Sequence, residues 1–133
     1  MVVSECLIPT SFIYMNWSKR GLKSILKPKY NLAKNTIFIS RINTSRVANI
    51  FELPIDSEED LVTSRILWLD GLEIGANKGP GIDSFQRYIY IHGTQEEGLI
   101  GQKASHGCIR MFNSDVVYLY ELVEKGTKVH IKA

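Results

Sequence analysis

Short runs of alternating apolar and polar residues, rich in β-branched and aromatic side chains, extend along most of this chain. This period-two pattern is typical of half-buried strands, and turn-forming residues separate the runs. A segment with four glycines and a proline, Gly71–Ser84, is expected to be a long loop. The pattern therefore predicts a mainly β fold. The expected strands are Leu7–Met15, Asn35–Ser40, Arg46–Leu53, Ser64–Leu69, Arg87–His92 and Thr127–Ala133.

One segment near the C-terminus changes period and predicts a helix. Asn113 is a suitable N-cap residue, and Gly126 follows Lys125 as a suitable residue just beyond the last turn. Apolar side chains recur between them at the spacing that forms a single buried stripe. The stripe consists of Val116, Leu119, Tyr120 and Val123. We expect this helix to pack on the sheet.

Composition narrows the class of protein. The 133 residues suit a single domain, residues 1–133, and the net charge of +2 gives no reason to expect nucleic acid as a partner. No run of about eighteen apolar residues is present, so no membrane-spanning helix is expected. The two cysteines, Cys6 and Cys108, lie far apart and form neither a disulfide framework nor a paired-thiol metal motif.

The segment Ser105–Met111 carries the clearest chemical pattern. If it is extended, His106, Cys108 and Arg110 project to one face, whereas Ile109 and Met111 project to the core. A cysteine that only fills space does not need an imidazole and a guanidinium beside it, so the pattern favours Cys108 as a nucleophile. Gly107 lets a substrate approach the backbone closely, and we expect its N–H, together with that of Cys108, to point at a developing oxyanion.

A cysteine nucleophile needs a base, because a thiol with a pKa of about 8.5 is only slightly ionised at neutral pH. His92 ends an expected strand immediately before Gly93, and it can approach from a neighbouring strand. His106 lies two positions from Cys108, and residues at that spacing in a strand have Cα atoms roughly 6.5 to 7 Å apart. Spacing alone does not choose between the two histidines.

These residues together resemble the L,D-transpeptidase catalytic domain, also called the YkuD domain. The resemblance rests on His92-Gly93-Thr94, on the segment Ser105–Met111, on Asp115, and on a closing Gly126-Thr127-x-Val129-x-Ile131. It covers about residues 35–133. It implies a β-sandwich or barrel-like arrangement of mixed sheets with one packed helix.

The resemblance also implies roles for individual residues. Cys108 matches the nucleophile, which forms a thioester with a peptidoglycan stem peptide, and His92 matches the general base, oriented by a backbone carbonyl near Gly93. Ser105, His106 and Gly107 match positions that shape the oxyanion site, and Arg110 matches a residue that holds a substrate carboxylate. Transfer to an amine of a neighbouring stem would give a 3→3 cross-link. Neither a cofactor nor a metal is implied, and carbapenem-type compounds are expected inhibitors.

The first residues depart from the family pattern. Ile8 stands where the family has threonine and Ser11 where it has glycine, and the usual N-terminal hairpin is not recognisable. We therefore expect an N-terminally shortened domain with an exposed sheet edge. The family implies a periplasmic or cell-envelope location. No signal peptide is recognisable, which leaves cytoplasmic retention as the alternative.

Three other functions remain open at this stage. Transfer of the acyl group to water instead of an amine would make the protein an L,D-carboxypeptidase. An inactive or truncated relative would serve as a peptidoglycan-binding module. A metal site formed by His92, His106 and Cys108, with His130 as an optional fourth ligand, has acceptable zinc ligands, but their spacing fits no standard zinc pattern.

Overall fold

The computed structural model describes residues 22–26 and 33–131. The expected strand Leu7–Met15 lies outside the described residues. The described part contains seven strands, one α-helix and a short 3₁₀ helix at Glu97–Leu99. The elements are β1 (Leu22–Leu26), β2 (Thr36–Ile39), β3 (Ile42–Val47), β4 (Val62–Gly71), β5 (Tyr90–Gly93), β6 (Ile109–Met111), α1 (Asn113–Leu122) and β7 (Lys128–His130).

The long strand β4 organises the sheet. One edge of β4 pairs with β5, and the other edge pairs with β2 near Thr63 and with β1 near Trp68. β3 pairs with β2, and β7 pairs with β1, both antiparallel. β5 and β6 are parallel, so the sheet is mixed. The predicted mainly β class with one packed helix is confirmed.

Side-chain alternation in β4, β5 and β6 sorts the apolar residues onto two faces of the sheet. One face carries Ile91, Ile109 and Met111, which pack against the buried stripe of α1. The other face carries a smaller cluster of Phe38, Ile66 and Tyr90, against which Trp68 and Cys108 pack. The period-two pattern thus places Cys108 on the face opposite the helix.

The helix packs as the sequence predicts, but its ends differ. Val116, Leu119, Tyr120 and Val123 are all buried. The N-cap is Phe112, and Asn113 is the first helical residue. The Asn113 side chain does not cap the helix, because it bonds to Ser64 and to the Thr94 carbonyl. The helix ends at Leu122, three residues before Lys125.

One predicted strand is largely wrong. The segment expected at Arg46–Leu53 is a strand only as far as Val47, where β3 ends. Beyond Val47 the chain leaves the sheet, and the Phe51 N–H donates to the Gln95 carbonyl in a long-range loop contact. β-branched composition indicated a strand here, but the backbone partner of this segment lies in another loop.

Candidate active site

Cys108 lies immediately before β6, and its thiol faces the backbone that leads into β5. The Tyr90 N–H donates to the Cys108 Sγ at 3.4 Å, and the Sγ lies 3.5 Å from the Tyr88 carbonyl oxygen, to which the thiol donates. The sulfur thus accepts from one backbone group and donates to another. The side chain is partly exposed, which leaves the sulfur accessible to a reactant.

His92 is buried in β5, with only 2% of its surface exposed. Its Nδ1 lies 2.6 Å from the Gly93 carbonyl oxygen. A carbonyl only accepts hydrogen bonds, so Nδ1 carries the proton and Nε2 keeps its lone pair. Burial lowers the pKa of His92 to about 4, and the positive charge of Arg110 acts in the same direction, whereas the Gly93 carbonyl and Asp60 oppose the shift. At neutral pH the imidazole is therefore a neutral base.

Pairing between β5 and β6 places His92 and Cys108 on one face of the sheet. His92 is the register partner of Arg110, and Ile91 is the partner of Ile109. Tyr90, two residues before His92, shares a cluster with Cys108, two residues before Arg110. Alternation along parallel strands therefore directs the side chains of His92 and Cys108 to the same face.

His106 occupies a different environment. Its side chain is 93% exposed, and its Nδ1 lies 3.8 Å from a carboxylate oxygen of Asp60. The segment from Ser105 to Cys108 is a series of bends rather than the expected strand, which begins only at Ile109. His106 consequently does not share a strand face with Cys108.

The bends before Cys108 are fixed by one hydroxyl group. Ser105 Oγ donates to the Cys108 carbonyl at 2.6 Å and accepts from the Gly107 N–H at 3.2 Å. A Cβ added at Gly107 would meet only the Ile89 side chain, at an ordinary 3.5 Å. Packing therefore does not require glycine at position 107, and the hydroxyl of Ser105 sets the shape of the loop.

Arg110 is buried within an ion-pair network. Its Nη1 lies 2.8 Å from a Glu96 carboxylate oxygen, and its Nη2 lies 2.6 Å from one of Asp60. Arg110 and Glu96 are each 2% exposed, whereas Asp60 is 46% exposed. A substrate carboxylate would have to replace Asp60 to bind this guanidinium, so the substrate-holding role of Arg110 stays a prediction.

The same network fixes the loop that precedes β4. Glu96 accepts hydrogen bonds from both the backbone N–H and the hydroxyl of Ser57, and Gln95 donates to the Glu59 carbonyl. The pKa of Glu96 lies below its usual value; burial opposes this shift, but the Ser57 hydrogen bonds and the Arg110 charge outweigh burial. Asp60 is thereby held close enough to influence His92. The sequence did not predict that Asp60 and Glu96 pair with Arg110, because no local spacing links these residues.

Asn113 joins three segments behind the site. Its amide oxygen accepts from the Thr63 and Ser64 hydroxyls, and its amide nitrogen donates to the Thr94 carbonyl and to Glu97. The side chain is fully buried. Asn113 therefore connects β4 and the start of α1 to the turn that follows His92 and Gly93.

The described residues contain neither a candidate metal site nor a membrane-spanning helix. Neither 22–26 nor 33–131 contributes a group of three or more His, Cys, Asp or Glu side chains that could hold a metal ion. In the same ranges no helix has the length and apolar character needed to cross a membrane.

Part of the chain is similar in sequence to several proteins named as L,D-transpeptidases. A segment of 46 residues is 51% identical to the putative L,D-transpeptidase YkuD of Bacillus subtilis, covering 35% of this chain and 28% of that protein. A segment of 45 residues is 49% identical to the putative L,D-transpeptidase YqjB of the same organism, covering 34% and 26%. The probable L,D-transpeptidase YbiS of Escherichia coli is 46% identical over 43 residues, covering 32% and 14%.

These matches span at most 28% of the length of the relatives just named. No solved structure matches the chain. The family comparison covers far more of the sequence, because residues 9–131 match the L,D-transpeptidase catalytic domain. The chain therefore belongs to the YkuD family of L,D-transpeptidase catalytic domains.

Proposed function

We propose that this domain catalyses acyl transfer on peptidoglycan stem peptides, with Cys108 as nucleophile and His92 as general base. The observation that carries the proposal is the state of His92: buried, neutral, with Nδ1 bonded to Gly93 and the Nε2 lone pair available. Its side chain shares a sheet face with that of Cys108. A base of this kind, near a thiol that accepts a backbone N–H, is suited to generating a thiolate.

The proposed first step is acylation. The thiol proton moves to Nε2 of His92, and the sulfur attacks the carbonyl carbon of the third stem residue. A bond from sulfur to carbon forms, the peptide bond to the fourth residue breaks, and the departing amine takes the proton from His92. The backbone N–H groups of Gly107 and Cys108 are the proposed donors to the developing oxyanion. The Gly107 N–H would have to turn away from Ser105 Oγ, to which it now donates.

The proposed second step is transfer to an acceptor. The amine of a neighbouring stem, at diaminopimelate, attacks the thioester carbon and gives its proton to His92. The bond from carbon to sulfur breaks, and the thiolate regains the proton. The product is a 3→3 cross-link. Water in place of the amine would release a free acid, which is the carboxypeptidase reaction.

Location and ligands follow from the same proposal. A peptidoglycan substrate implies a cell-envelope setting, since the family acts on the wall. Carbapenem-type compounds should acylate the same thiol, because their strained ring presents a reactive carbonyl. No cofactor is needed for either step.

The test is a product analysis with two acceptors. The purified protein is incubated with a synthetic tetrapeptide stem, with and without a stem carrying a free diaminopimelate amine, and products are identified by mass spectrometry. Formation of the cross-linked dimer supports the transpeptidase, whereas shortened peptide alone indicates the carboxypeptidase. The enzymatic proposal would be contradicted if the protein bound the peptide but formed neither product and behaved like Cys108→Ala in every assay. That result would favour a binding module.

A further inference from the structure

An arginine lies stacked on aromatic rings beside Cys108. Arg41 is in the two-residue turn between β2 and β3, where Ile39 and Ile42 are paired. Its guanidinium carbon is 4.7 Å from the ring centroid of Trp68 and 4.6 Å from that of Tyr88. The two rings are themselves 5.9 Å apart, so the guanidinium lies against both.

The backbone holds this arrangement in an unfavourable conformation. Ser40 and Arg41 have φ values of +47° and +68°, and Tyr88 has a φ of +55°. Tight turns with two positive φ values normally use Asn and Gly, and residues such as Arg and Tyr are unfavourable in this region. The surrounding fold therefore holds both Arg41 and Tyr88 in backbone conformations that these residues disfavour. Such conformations are common at functional sites.

The arginine lies close to the proposed nucleophile. The carbonyl oxygen of Tyr88, whose ring contacts Arg41, is 3.5 Å from the Cys108 Sγ. Trp68, the other ring, packs in the same cluster as Cys108. Tyr88 therefore contacts both the guanidinium of Arg41 and the sulfur of Cys108.

Stacking leaves a guanidinium well suited to one kind of ligand. The planar group lies on the rings, and its Nε–H donates to the Ser40 carbonyl at 3.4 Å. A guanidinium directs its N–H groups within its own plane, the geometry that matches a carboxylate. Contact with two rings also restricts the side chain, which lowers the entropy cost of binding. In a 3→3 reaction the scissile bond has a carboxylate on either side: the terminal carboxylate of the fourth residue and the side-chain carboxylate of diaminopimelate.

We infer that Arg41, stacked on Trp68 and Tyr88, binds a stem-peptide carboxylate next to the scissile bond and sets the substrate preference of the site. The inference rests on the proposed function for the identity of the ligand. It makes Arg41 a binding residue that the sequence motifs around His92 and Cys108 do not include.

The test measures binding without turnover. Cys108→Ala protein is titrated by calorimetry with three synthetic tetrapeptide stems: the free acid, the C-terminal amide, and the amide of the diaminopimelate side chain. The free acid is expected to bind about tenfold more tightly than one of the two amides, because a charge-assisted pair is lost in the amide. The amide that weakens binding identifies which carboxylate is recognised.

Further substitutions assign this preference to Arg41. Adding Arg41→Gln should abolish the difference between acid and amide. Arg41→Lys should keep only part of it, because an ammonium group cannot form the bidentate pair. The matched control is Arg46→Gln, which removes the same charge from an exposed position on β3 and should leave the preference intact.

The outcomes separate this inference from the proposed function. A preference for the acid that survives Arg41→Gln, equal binding of all three peptides, or no binding at millimolar concentration would overturn the inference. Carboxylate-dependent binding lost in Arg41→Gln would support it even if no cross-linked product forms. Cross-linking without any such preference would support the enzyme and reject the role of Arg41. Thermal unfolding of each variant verifies that the comparison is made between folded proteins.

Discussion

The Nδ1 atom of His92 lies 2.6 Å from the carbonyl oxygen of Gly93, the next residue in the chain. This contact requires the proton on Nδ1 and directs the Nε2 lone pair elsewhere. Burial keeps the imidazole neutral at physiological pH, and the contact with Gly93 fixes its tautomer.

Burial of His92 predicts a specific dependence of stability on pH. Its pKa is about 4 in the folded protein and near 6.5 in the unfolded chain. Between these values the unfolded state binds a proton that the folded state does not, so stability is fully present above pH 6.5 and falls as the pH drops toward 4. The loss over this window is on the order of 3 kcal/mol. Urea denaturation across pH 7 to 4.5 measures it.

Two variants assign this dependence to His92. His92→Gln should flatten the curve between pH 6.5 and 4.5, because the titrating group is gone. His106→Gln is the matched control and should retain the wild-type difference, since the His106 side chain is almost fully exposed. An unchanged slope in His92→Gln would contradict the assignment.

The buried pair of Arg110 and Glu96 predicts strong energetic coupling. Removing the Arg110 charge leaves the buried carboxylate of Glu96 without its ion pair, so Arg110→Met should lower the free energy of unfolding by about 3 to 5 kcal/mol. Glu96→Gln should lower it less, because Arg110 keeps its ion pair with Asp60. The double variant should lose much less than the sum of the two. Chemical denaturation of the four proteins gives the coupling energy.

The opposite result would change the role of Arg110. If Arg110→Met unfolds like wild type but binds stem peptides poorly, the guanidinium serves the substrate rather than the loop that carries Asp60. Additive losses in the double variant would likewise contradict a coupled pair.

Two glycines near the site should respond differently to alanine. A Cβ at Gly107 would meet only Ile89 at 3.5 Å, so Gly107→Ala should change the free energy of unfolding by less than about 1 kcal/mol. A Cβ at Gly93 would fall against the Asn113 amide oxygen and lie 2.7 Å from the Thr63 carbonyl, so Gly93→Ala should destabilise the fold by more than about 2 kcal/mol.

Acylation rates complete this comparison. If a substrate approaches the backbone closely at Gly107, the added Cβ of Gly107→Ala should displace it and slow acylation about tenfold or more, although the fold stays stable. Stopped-flow measurement with a carbapenem tests this. Wild-type rates in Gly107→Ala would remove Gly107 from the proposed site.

Periodicity predicted the elements whose structure is set by local burial. Alternation placed Ile109 and Met111 in the core and Cys108 on the opposite face, and the helical stripe from Val116 to Val123 is buried. Both follow from one rule, that apolar side chains of an element share a face.

Long-range polar contacts account for what sequence analysis missed. Asn113 looked like a helix cap because its neighbours in sequence fit that role, yet its side chain bonds to residues up to 50 positions away. The same holds for Glu96 and Asp60, which join Arg110 across loops. Such partners are set by the completed fold, so local spacing carries no signal of them.

The most direct test of the central claim is the mass of the intact protein after incubation with a carbapenem. A nucleophilic Cys108 predicts a stoichiometric increase equal to the mass of the compound, mapped by peptide analysis to Cys108, absent in Cys108→Ala and much slower in His92→Gln. Cys6→Ala is the matched thiol control and should acquire the same adduct as wild type. A folded protein that acquires no adduct, or acquires it equally in Cys108→Ala, would contradict the assignment of Cys108 as the nucleophile.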